Sequence, residues 1–301
     1  MTATVAESPA AALLSAAAVR ARCGNVAAAV AAGHSPHLRV DRSRLPVAAE
    51  RVAAVTRRRY PDLAIPYHSR WRHFEAGGID RGAELERTLA GRSIAERARA
   101  RIDLAVVSVL LDAGAGATWR YEEAATGARF ARSQGLGVAS LRAFMLGAFS
   151  ATPGDPLRAD ARALASIDAG RLAALLQARD GNPLVGLEGR AALLRRLADA
   201  LARETQVFGA QARPGALYDT LTAHGSHATV AASALLRALL DGMGAIWPNG
   251  STLAGVALGD TWRHPHAGGE GVTAGWVPFH KLSQWLAYSL FEPFEWAGVA
   301  V

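Results

Sequence analysis

The amino-acid sequence predicts a mainly α-helical protein with one short β-hairpin. Half of its 301 residues are hydrophobic, and long stretches repeat them at the spacing that places side chains on one side of a helix. Capping residues precede several of these stretches, and glycine or proline follows them. Alternation typical of strands is confined to residues 118–134. We therefore expect a compact multi-helix domain.

The helices of the first third have clear start and stop signals. The first is predicted from Pro9 to about Gly33, and the second over residues 46–59. A capping-box pattern at residues 93–96 opens a third helix, which carries an apolar stripe and ends at Gly114. This third helix is predicted to lie in the core.

The remaining chain combines one hairpin, further helices and a long loop. Aromatic residues on both sides of Thr126-Gly127 predict a hairpin turn there. The interval from Trp247 to Trp276 is rich in glycine and proline, so we expect a functional loop. Further helices are predicted over residues 138–149, 157–179, 187–204 and 229–242, with a final one that begins at Pro278.

Length and charge limit the class of protein. The chain suits one large helical domain over residues 1–301, with possible lobes 1–150 and 151–301 packed around one cleft. The net charge is +7, but Lys281 is the lone lysine and the arginines are scattered, apart from a short run at residues 57–59. We therefore expect no nucleic-acid partner, whereas an anionic small molecule suits the charge.

Cysteine and hydropathy patterns indicate the compartment. Cys23 is the one cysteine, which excludes an internal disulfide and suits a reducing cytoplasm. The apolar run over residues 104–111 is too short to cross a bilayer. The apolar stretch near the N-terminus follows no basic segment of the kind that export signals carry. We expect a cytoplasmic protein without a membrane partner.

Histidine pairs raise the question of a metal site. The pairs are His34/His37, His68/His73, His224/His227 and His264/His266. The last two pairs could supply the three or four ligands that zinc or iron needs. However, the chain has no HExxH motif and no cysteine-rich ligand set. We expect neither a metal nor a cofactor, and a metal-dependent hydrolase stays open as an alternative.

The segment GDTWRH, residues 259–264, is the strongest candidate for catalysis. Asp260 follows a glycine and lies close in sequence to Trp262 and His264. A carboxylate beside an aromatic wall can stabilise a cation that develops on a sugar. A loop aspartate also commonly caps a turn or a helix. Both interpretations stay open at this point.

The final helix is predicted to have two different faces. At ~100° per residue, one face carries Leu282, Leu286, Ser289 and Leu290. The other face carries Lys281, Gln284, Trp285 and Tyr288. A solvated face usually carries Glu, Lys and Arg, so we expect the second face to line a cavity. Ordinary packing of both faces is the alternative.

Two distant segments have a similar order of residue types. IPYHSRWRHFE occupies residues 65–75, and VPFHKLSQW begins at residue 277. We interpret each proline as setting the backbone direction, so that the aromatic residue packs inward while the histidine and basic residue face a shared cavity. The alternative is a pair of helix-entry segments with no common ligand.

Five blocks of the chain together resemble the uracil-catabolism protein family of fungi and bacteria, named for the fourth protein of the fungal URC pathway. The blocks are IPYHSRWRHFE (65–75), RSQGLG (132–137), GNPLVGLEGR (181–190), GDTW (259–262) and VPFHKLSQWLAYSL (277–290). The resemblance implies a step in uracil breakdown. In that pathway uracil becomes a ribonucleotide, a protein similar to GTP cyclohydrolase opens the ring, and a ribosyl-urea intermediate leads to urea.

The final block is also distantly similar to the end of the queuosine-salvage nucleotide glycohydrolases. Their all-helical fold resembles helix-hairpin-helix DNA glycosylases, and an aspartate lies shortly before a Val-Pro. Here Asp260 precedes Val277-Pro278 with a longer insertion. By analogy, we expect a similar fold and an N-ribosyl hydrolase that releases urea and ribose phosphate from a 5′-phosphorylated ribosyl-urea.

The resemblances imply roles for particular residues. Asp260 would stabilise the oxocarbenium-like cation and activate water, and His280 or His264 would protonate the departing nitrogen. The cationic groups and a tyrosine would hold the 5′-phosphate, while tryptophans form the walls. The residues expected to bind substrate are Arg70, Trp71, Arg72, His73, Trp262, Lys281, Gln284, Trp285 and Tyr288.

Two other functions stay open. The first is a metal-dependent amidohydrolase that attacks the opened pyrimidine ring, as the histidine pairs suggest. The second is a non-catalytic partner of the ring-opening enzyme similar to GTP cyclohydrolase, which would stabilise or channel the intermediate. In either case the ligand would be a small molecule, with a phosphorylated riboside as the leading expectation.

Overall fold

A computed structural model describes residues 8–301, and in this part of the chain the protein is mainly α-helical, as the sequence predicts. Three-residue 3₁₀ turns connect several of the helices. The α-helices are α1 (Ala16–Ala31), α2 (Leu45–Arg59), α3 (Trp71–Phe74), α4 (Arg81–Thr88), α5 (Ile94–Leu110), α6 (Arg132–Met145), α7 (Ala161–Ala165), α8 (Ala169–Leu175), α9 (Leu187–Arg203), α10 (Thr205–Phe208), α11 (Leu217–Thr222), α12 (Ala232–Met243) and α13 (Lys281–Glu295).

Three short antiparallel strand pairs join the helices. The predicted hairpin is present as β1 (Tyr121–Glu122) and β2 (Arg129–Phe130). Two further pairs lie where the sequence predicts a loop: β3 (Ser251–Leu253) with β4 (Val256–Gly259), and β5 (Thr261–Arg263) with β6 (Trp276–Pro278). These strands have three or four residues each, too few to produce a recognisable alternation in the sequence.

Helix α5 runs through the core and positions part of the candidate site. Ser93 caps it by accepting a hydrogen bond from the backbone N–H of Glu96 (3.2 Å). The Glu96 carboxylate pairs with Arg99 and Arg213 rather than returning to the cap. Apart from Arg99, the residues from Ala98 to Leu110 are buried. The helix contacts α6, α9, α11 and α13, so it is packed against neighbours on several sides.

Side-chain caps explain why some predicted helices are divided. The predicted helix over residues 157–179 is two helices, α7 and α8, because Asp160 and Asp168 each accept a hydrogen bond from a backbone N–H and so begin a new helix. The first predicted helix is likewise interrupted at Ser15, which caps α1. Hydrogen bonds from the backbone to aspartate and serine side chains compete locally with a continuous helix. At all three positions the side-chain bond formed and the helix was interrupted.

The final helix begins later than predicted, at Lys281 instead of Pro278. Pro278 belongs to β6 and pairs with Thr261 of β5. His280 follows in the left-handed region, at φ 48°, so the chain turns sharply between the strand and α13. The proline therefore ends a strand and does not occupy the first turn of the helix.

The buried apolar side chains form one cluster that extends from Leu13 to Val299. This cluster draws on both halves of the chain. The division into lobes 1–150 and 151–301 stays a prediction, as does the likeness to helix-hairpin-helix glycosylases. Among residues 8–301, no helix combines the length and the apolar character that spanning a membrane requires.

Asp103, near the middle of α5, is a fully buried acid. Its carboxylate accepts hydrogen bonds from Arg213 Nε (2.9 Å) and from the backbone N–H groups of Ala159 (3.1 Å) and Gly215 (2.6 Å). A buried charge without such partners would be costly. These bonds therefore fasten α5 to the segments that precede α7 and α11.

We expect the substitution Asp103→Asn to lower the free energy of unfolding by about 3–5 kcal/mol, because it leaves the Arg213 guanidinium buried without its anionic partner. Asp241→Asn is the matched control, since Asp241 pairs with Arg237 on the exposed side of α12 and should cost at most ~1 kcal/mol. Urea unfolding monitored by circular dichroism measures both. Equal losses for the two variants would contradict the role assigned to Asp103.

Candidate functional site

A cavity of ≈ 1340 Å³ is bounded by α1, α13, the start of α6 and the loop after α5. This volume is ample for a small metabolite. Its apolar wall includes Val19, Cys23, Phe279, Leu282 and Trp285. Its polar or charged lining residues are His68, His73, Asp112, Arg132, Ser133, Asp260, Lys281, Gln284 and Tyr288.

One face of α13 lines the cavity along its first two turns. The four residues expected there from helical spacing all do so: Lys281, Gln284, Trp285 and Tyr288. On the opposite side Leu286, Ser289 and Leu290 are buried in the core. Leu282, which was predicted on that core face, instead lines the cavity. The Gln284 amide donates to the Phe279 carbonyl oxygen (2.6 Å) and so holds the turn before the helix.

Asp260 lies on the cavity wall and also caps the start of the final helix. It lies between β4 and β5 on the cavity wall. One carboxylate oxygen accepts a hydrogen bond from Trp262 Nε1 (2.8 Å), and the other accepts one from the backbone N–H of Lys281 at the start of α13 (3.1 Å). The acid is thus a helix cap whose two oxygens are held in fixed positions beside the cavity.

Arg70 lies behind the cavity wall and is fully buried. Its Nη1 donates to Asp112 Oδ2 (2.7 Å), and its Nε donates to Ser108 Oγ (2.7 Å). Burial lowers the pKa of Arg70 to about 10, against the opposing effect of the Asp112 charge. Asp112 therefore competes with the phosphate that Arg70 was expected to bind, because it already balances the Arg70 charge.

Two other cations line the cavity directly. Lys281, which the sequence analysis singled out, lies at the start of α13, and Arg132 lies at the start of α6. Both side chains are exposed, and within residues 8–301 neither charged group forms an ion pair. They are therefore the cavity's available positive charges.

His73 lines the cavity from α3, with its ring edge-on to Trp285 (centroids 5.9 Å apart, 83° between planes). Burial, helped by the charge of Arg70, lowers its pKa to about 4, so the imidazole is neutral near pH 7. Helix α6 approaches α3 closely here, since a Cβ on Gly137 would lie 2.8 Å from the Cβ of His73. The second glycine of RSQGLG thus makes room for this histidine.

The loop after α5 is held from behind by Arg190 on α9. Its guanidinium donates to the carbonyl oxygens of Leu111 (2.9 Å), Ala113 (2.9 Å) and Gly114 (3.2 Å), and also to that of Val185. Burial lowers the pKa of Arg190, but these carbonyl groups satisfy its donors. The cavity wall formed by residues 113–116 is therefore braced by the GNPLVGLEGR block.

Besides Arg70, the structure places three expected binding residues away from the cavity lining. Arg72 forms ion pairs with Glu75 (2.8 Å) and Glu292 (2.6 Å). Trp71 is buried in the core, where its Nε1 donates to the Ser289 carbonyl oxygen (2.9 Å). Trp262 is 47% exposed and acts on the site through its bond to Asp260. Arg72 and Trp71 are held by Glu292 and Ser289, which are distant in sequence, so local patterns did not reveal their positions.

Neither of the two histidines expected as acids lines the cavity. His280 is buried, and its Nε2 lies 3.2 Å from the Leu13 carbonyl oxygen. Burial lowers its pKa. His264 Nδ1 accepts a hydrogen bond from the backbone N–H of His266 (3.1 Å). The imidazoles on the cavity wall are instead His68 and His73.

The interpretation of the two similar segments is therefore partly wrong. Their aromatic residues do not pack inward, because Tyr67 and Phe279 are 40% and 42% exposed. The Tyr67 hydroxyl donates to Glu295, which keeps that ring near the surface. His68 and Lys281 reach the same cavity, whereas the left-handed conformation of His280 accompanies a ring directed to the core.

Asp112 and Arg132 line the cavity but were not among the residues expected from the sequence to contact a ligand. One signal was available: an acid at the end of the core helix precedes a glycine-rich turn, AGAG, at residues 113–116. Among residues 8–301, no three His, Cys, Asp or Glu side chains are grouped in a way that could hold a metal ion. The paired histidines near residues 224 and 264 thus do not form such a group.

Three comparisons relate this chain to known proteins. It matches the family described as "Protein of unknown function (DUF1688)" over residues 12–301. It is 36% identical over 277 residues to Uracil catabolism protein 4 of Lachancea kluyveri, covering 87% of this chain and 63% of that protein. It is also 36% identical over 261 residues to Protein urg3 of Schizosaccharomyces pombe, covering 85% and 61%.

The chain thus spans less than two thirds of the length of these curated relatives. All cavity-lining residues, from Val19 to Tyr288, fall inside the matched range 12–301. The resemblance noted from five sequence blocks is confirmed at the level of the family by the two relatives. This chain belongs to the DUF1688 family.

Proposed function

We propose that this protein takes part in uracil degradation as an N-ribosyl hydrolase, which cleaves a 5′-phosphorylated ribosyl-urea to urea and ribose 5-phosphate. The observation that carries the proposal is the position of Asp260, a carboxylate fixed by two hydrogen bonds on the wall of a metabolite-sized cavity. The name of one relative, Uracil catabolism protein 4, supports the pathway.

The reaction breaks the bond between ribose C1′ and a urea nitrogen. Positive charge develops on C1′ and the ring oxygen as the bond lengthens, and a nearby carboxylate stabilises this charge. The oxygen of a water molecule then bonds to C1′, while one water proton passes to Asp260. Because Trp262 Nε1 and the Lys281 backbone N–H hold the carboxylate in place, little reorganisation is needed as the charge forms.

The departing urea nitrogen must gain a proton. We assign this step to His68, an exposed imidazole on the cavity wall whose ring lies 6.4 Å from that of Trp285. Imidazole can donate and recover a proton near neutral pH. His280 and His264 are less suitable, because they do not line the cavity and their rings contact the protein backbone.

The 5′-phosphate is assigned to Lys281 and Arg132, the two cations that line the cavity without an ion pair among the described residues. Both can form charge-assisted hydrogen bonds to phosphate oxygens. Arg70 and Arg72, the earlier candidates, are engaged by Asp112 and Glu292. Trp285 supplies an apolar wall, and the Tyr288 hydroxyl is available for a further hydrogen bond.

We expect Asp260→Asn to lower kcat on a 5′-phosphorylated ribosyl-urea by about 10²- to 10⁴-fold, because the amide can neither accept the water proton nor stabilise the cation as a charge. Urea and ribose 5-phosphate release measures this. Asp62→Asn is the control, since Asp62 also accepts a backbone N–H in a turn but is exposed and off the cavity. Normal turnover by folded Asp260→Asn would contradict the mechanism.

We expect Lys281→Met to raise KM for the phosphorylated substrate by about tenfold or more, since each charge-assisted bond contributes ~1.5–3 kcal/mol. The rise in KM should be much smaller for the same compound without phosphate. Arg132→Met should behave alike, and Arg129→Met, which removes an exposed arginine paired with Glu122 on the hairpin, serves as control. Equal KM changes on both substrates would show that these cations do not bind phosphate.

A further inference from the structure

One end of the cavity carries several polar atoms that the protein itself does not satisfy. We call this end the amide subsite and define it by Arg70, His73, Asp112 and Trp285. Arg70 Nη2, His73 Nδ1 and Trp285 Nε1 are buried and have no hydrogen-bond partner within the described residues. Protein interiors rarely leave such atoms unpaired. His73 and Trp285 line the cavity, and Arg70 lies directly behind it. The two unpaired atoms of the lining side chains indicate that a ligand completes their hydrogen bonds.

These atoms surround one indole ring. The Arg70 guanidinium carbon and the His73 ring centroid each lie 5.9 Å from the Trp285 ring centroid. His73, Asp112 and Trp285 all line the cavity, and Arg70 lies directly behind Asp112. The unpaired donors therefore belong to one location.

The amide subsite is close to electrically neutral. The Arg70 charge is matched by Asp112 at 2.7 Å. The low pKa of His73, about 4, keeps its ring uncharged at neutral pH. An anionic group here would place a second negative charge beside the Asp112 carboxylate, which is unfavourable in a partly desolvated position. The subsite therefore favours a neutral polar group over a phosphate.

The donors and acceptors match one kind of neutral group. Asp112 Oδ2 accepts from Arg70, while its other oxygen has no partner among the described residues and can accept an N–H. Trp285 Nε1 is a donor only, so it suits a carbonyl oxygen. A carbonyl flanked by N–H groups is the pattern of an amide, whether in urea or in a pyrimidine ring.

The walls suit a flat group. Trp285 presents an indole to the cavity, with His73 edge-on and His68 tilted by 41° against it. The glycine-rich turn at residues 113–116 lines the cavity with little side-chain bulk. A planar amide can lie against an aromatic ring while its edge reaches polar atoms.

We propose that the amide subsite binds the planar, neutral amide portion of the ligand, with Asp112 as the residue that accepts its N–H and so determines specificity. In the hydrolase site, urea, the leaving group, would lie beside Asp112, and Lys281 and Arg132 would bind the phosphate. This assignment rests on the proposed function. The binding claim itself requires no turnover.

The test measures binding of three probes to the full chain by isothermal titration calorimetry: N-methylurea, uracil and inorganic phosphate. We expect at least one of the two amide probes to bind, and Asp112→Asn to weaken that probe by about tenfold or more. Phosphate affinity should change less than twofold. If N-methylurea binds more tightly than uracil, the ligand is the opened chain. If uracil binds more tightly, the ligand is the intact ring.

Controls separate specific loss from misfolding. Asp241→Asn, an exposed acid on α12, should leave all affinities unchanged. Trp285→Phe keeps an aromatic wall but removes the Nε1 donor, and should weaken the amide probe by about fivefold even where Asp112→Asn is poorly folded. Absence of amide binding, unchanged affinity in both variants, or competition between phosphate and the amide probe at this end would overturn the proposal.

The two proposals can fail separately. Full activity of Asp260→Asn would remove the hydrolase mechanism while N-methylurea binding that depends on Asp112 would still stand. Conversely, urea release could depend on Asp260 while the affinity for the amide probe is unchanged by substitution of Asp112 and Trp285. That result would overturn the subsite proposal alone.

Discussion

The arrangement of the cavity depends above all on the burial of Arg70. Its backbone N–H donates to Ser289 on α13 (2.9 Å), its Nε to Ser108 on α5 (2.7 Å), and its Nη1 to Asp112 and to the Ser133 carbonyl oxygen on α6 (3.2 Å). A buried guanidinium requires such partners, because an uncompensated charge costs more than any single bond contributes. The helices that form the cavity walls therefore meet around this residue.

The ion pairs of the arginines also determine which positive charges of the cavity are available to a ligand. Asp112 pairs with Arg70, and Glu292 pairs with Arg72, so the charges of both arginines are compensated within the protein. The remaining positive charge comes from Lys281 and Arg132 at the starts of two helices. A ligand that combines a neutral flat group with an anionic group matches these lining residues, and Asp260 lines the same cavity.

Local signals in the sequence predicted much of the fold and part of the site. Helix periodicity indicated α5 and the cavity face of α13, because both depend on side-chain spacing along one helix. The strands after residue 250 were missed, since pairs of three or four residues among glycines carry little pattern. Asp112 and the buried state of Arg70 were missed because they arise from contacts across 42 positions of chain.

The clamp of Arg190 on the loop after α5 has a consequence for recognition. Its bonds to the carbonyl oxygens of Leu111, Ala113 and Gly114 hold that wall in one shape before any ligand arrives. A wall that is already ordered loses little conformational entropy on association, so weak contacts translate more fully into affinity. The protein then selects among ligands by how well each fits a rigid surface, and not by closing around the bound ligand.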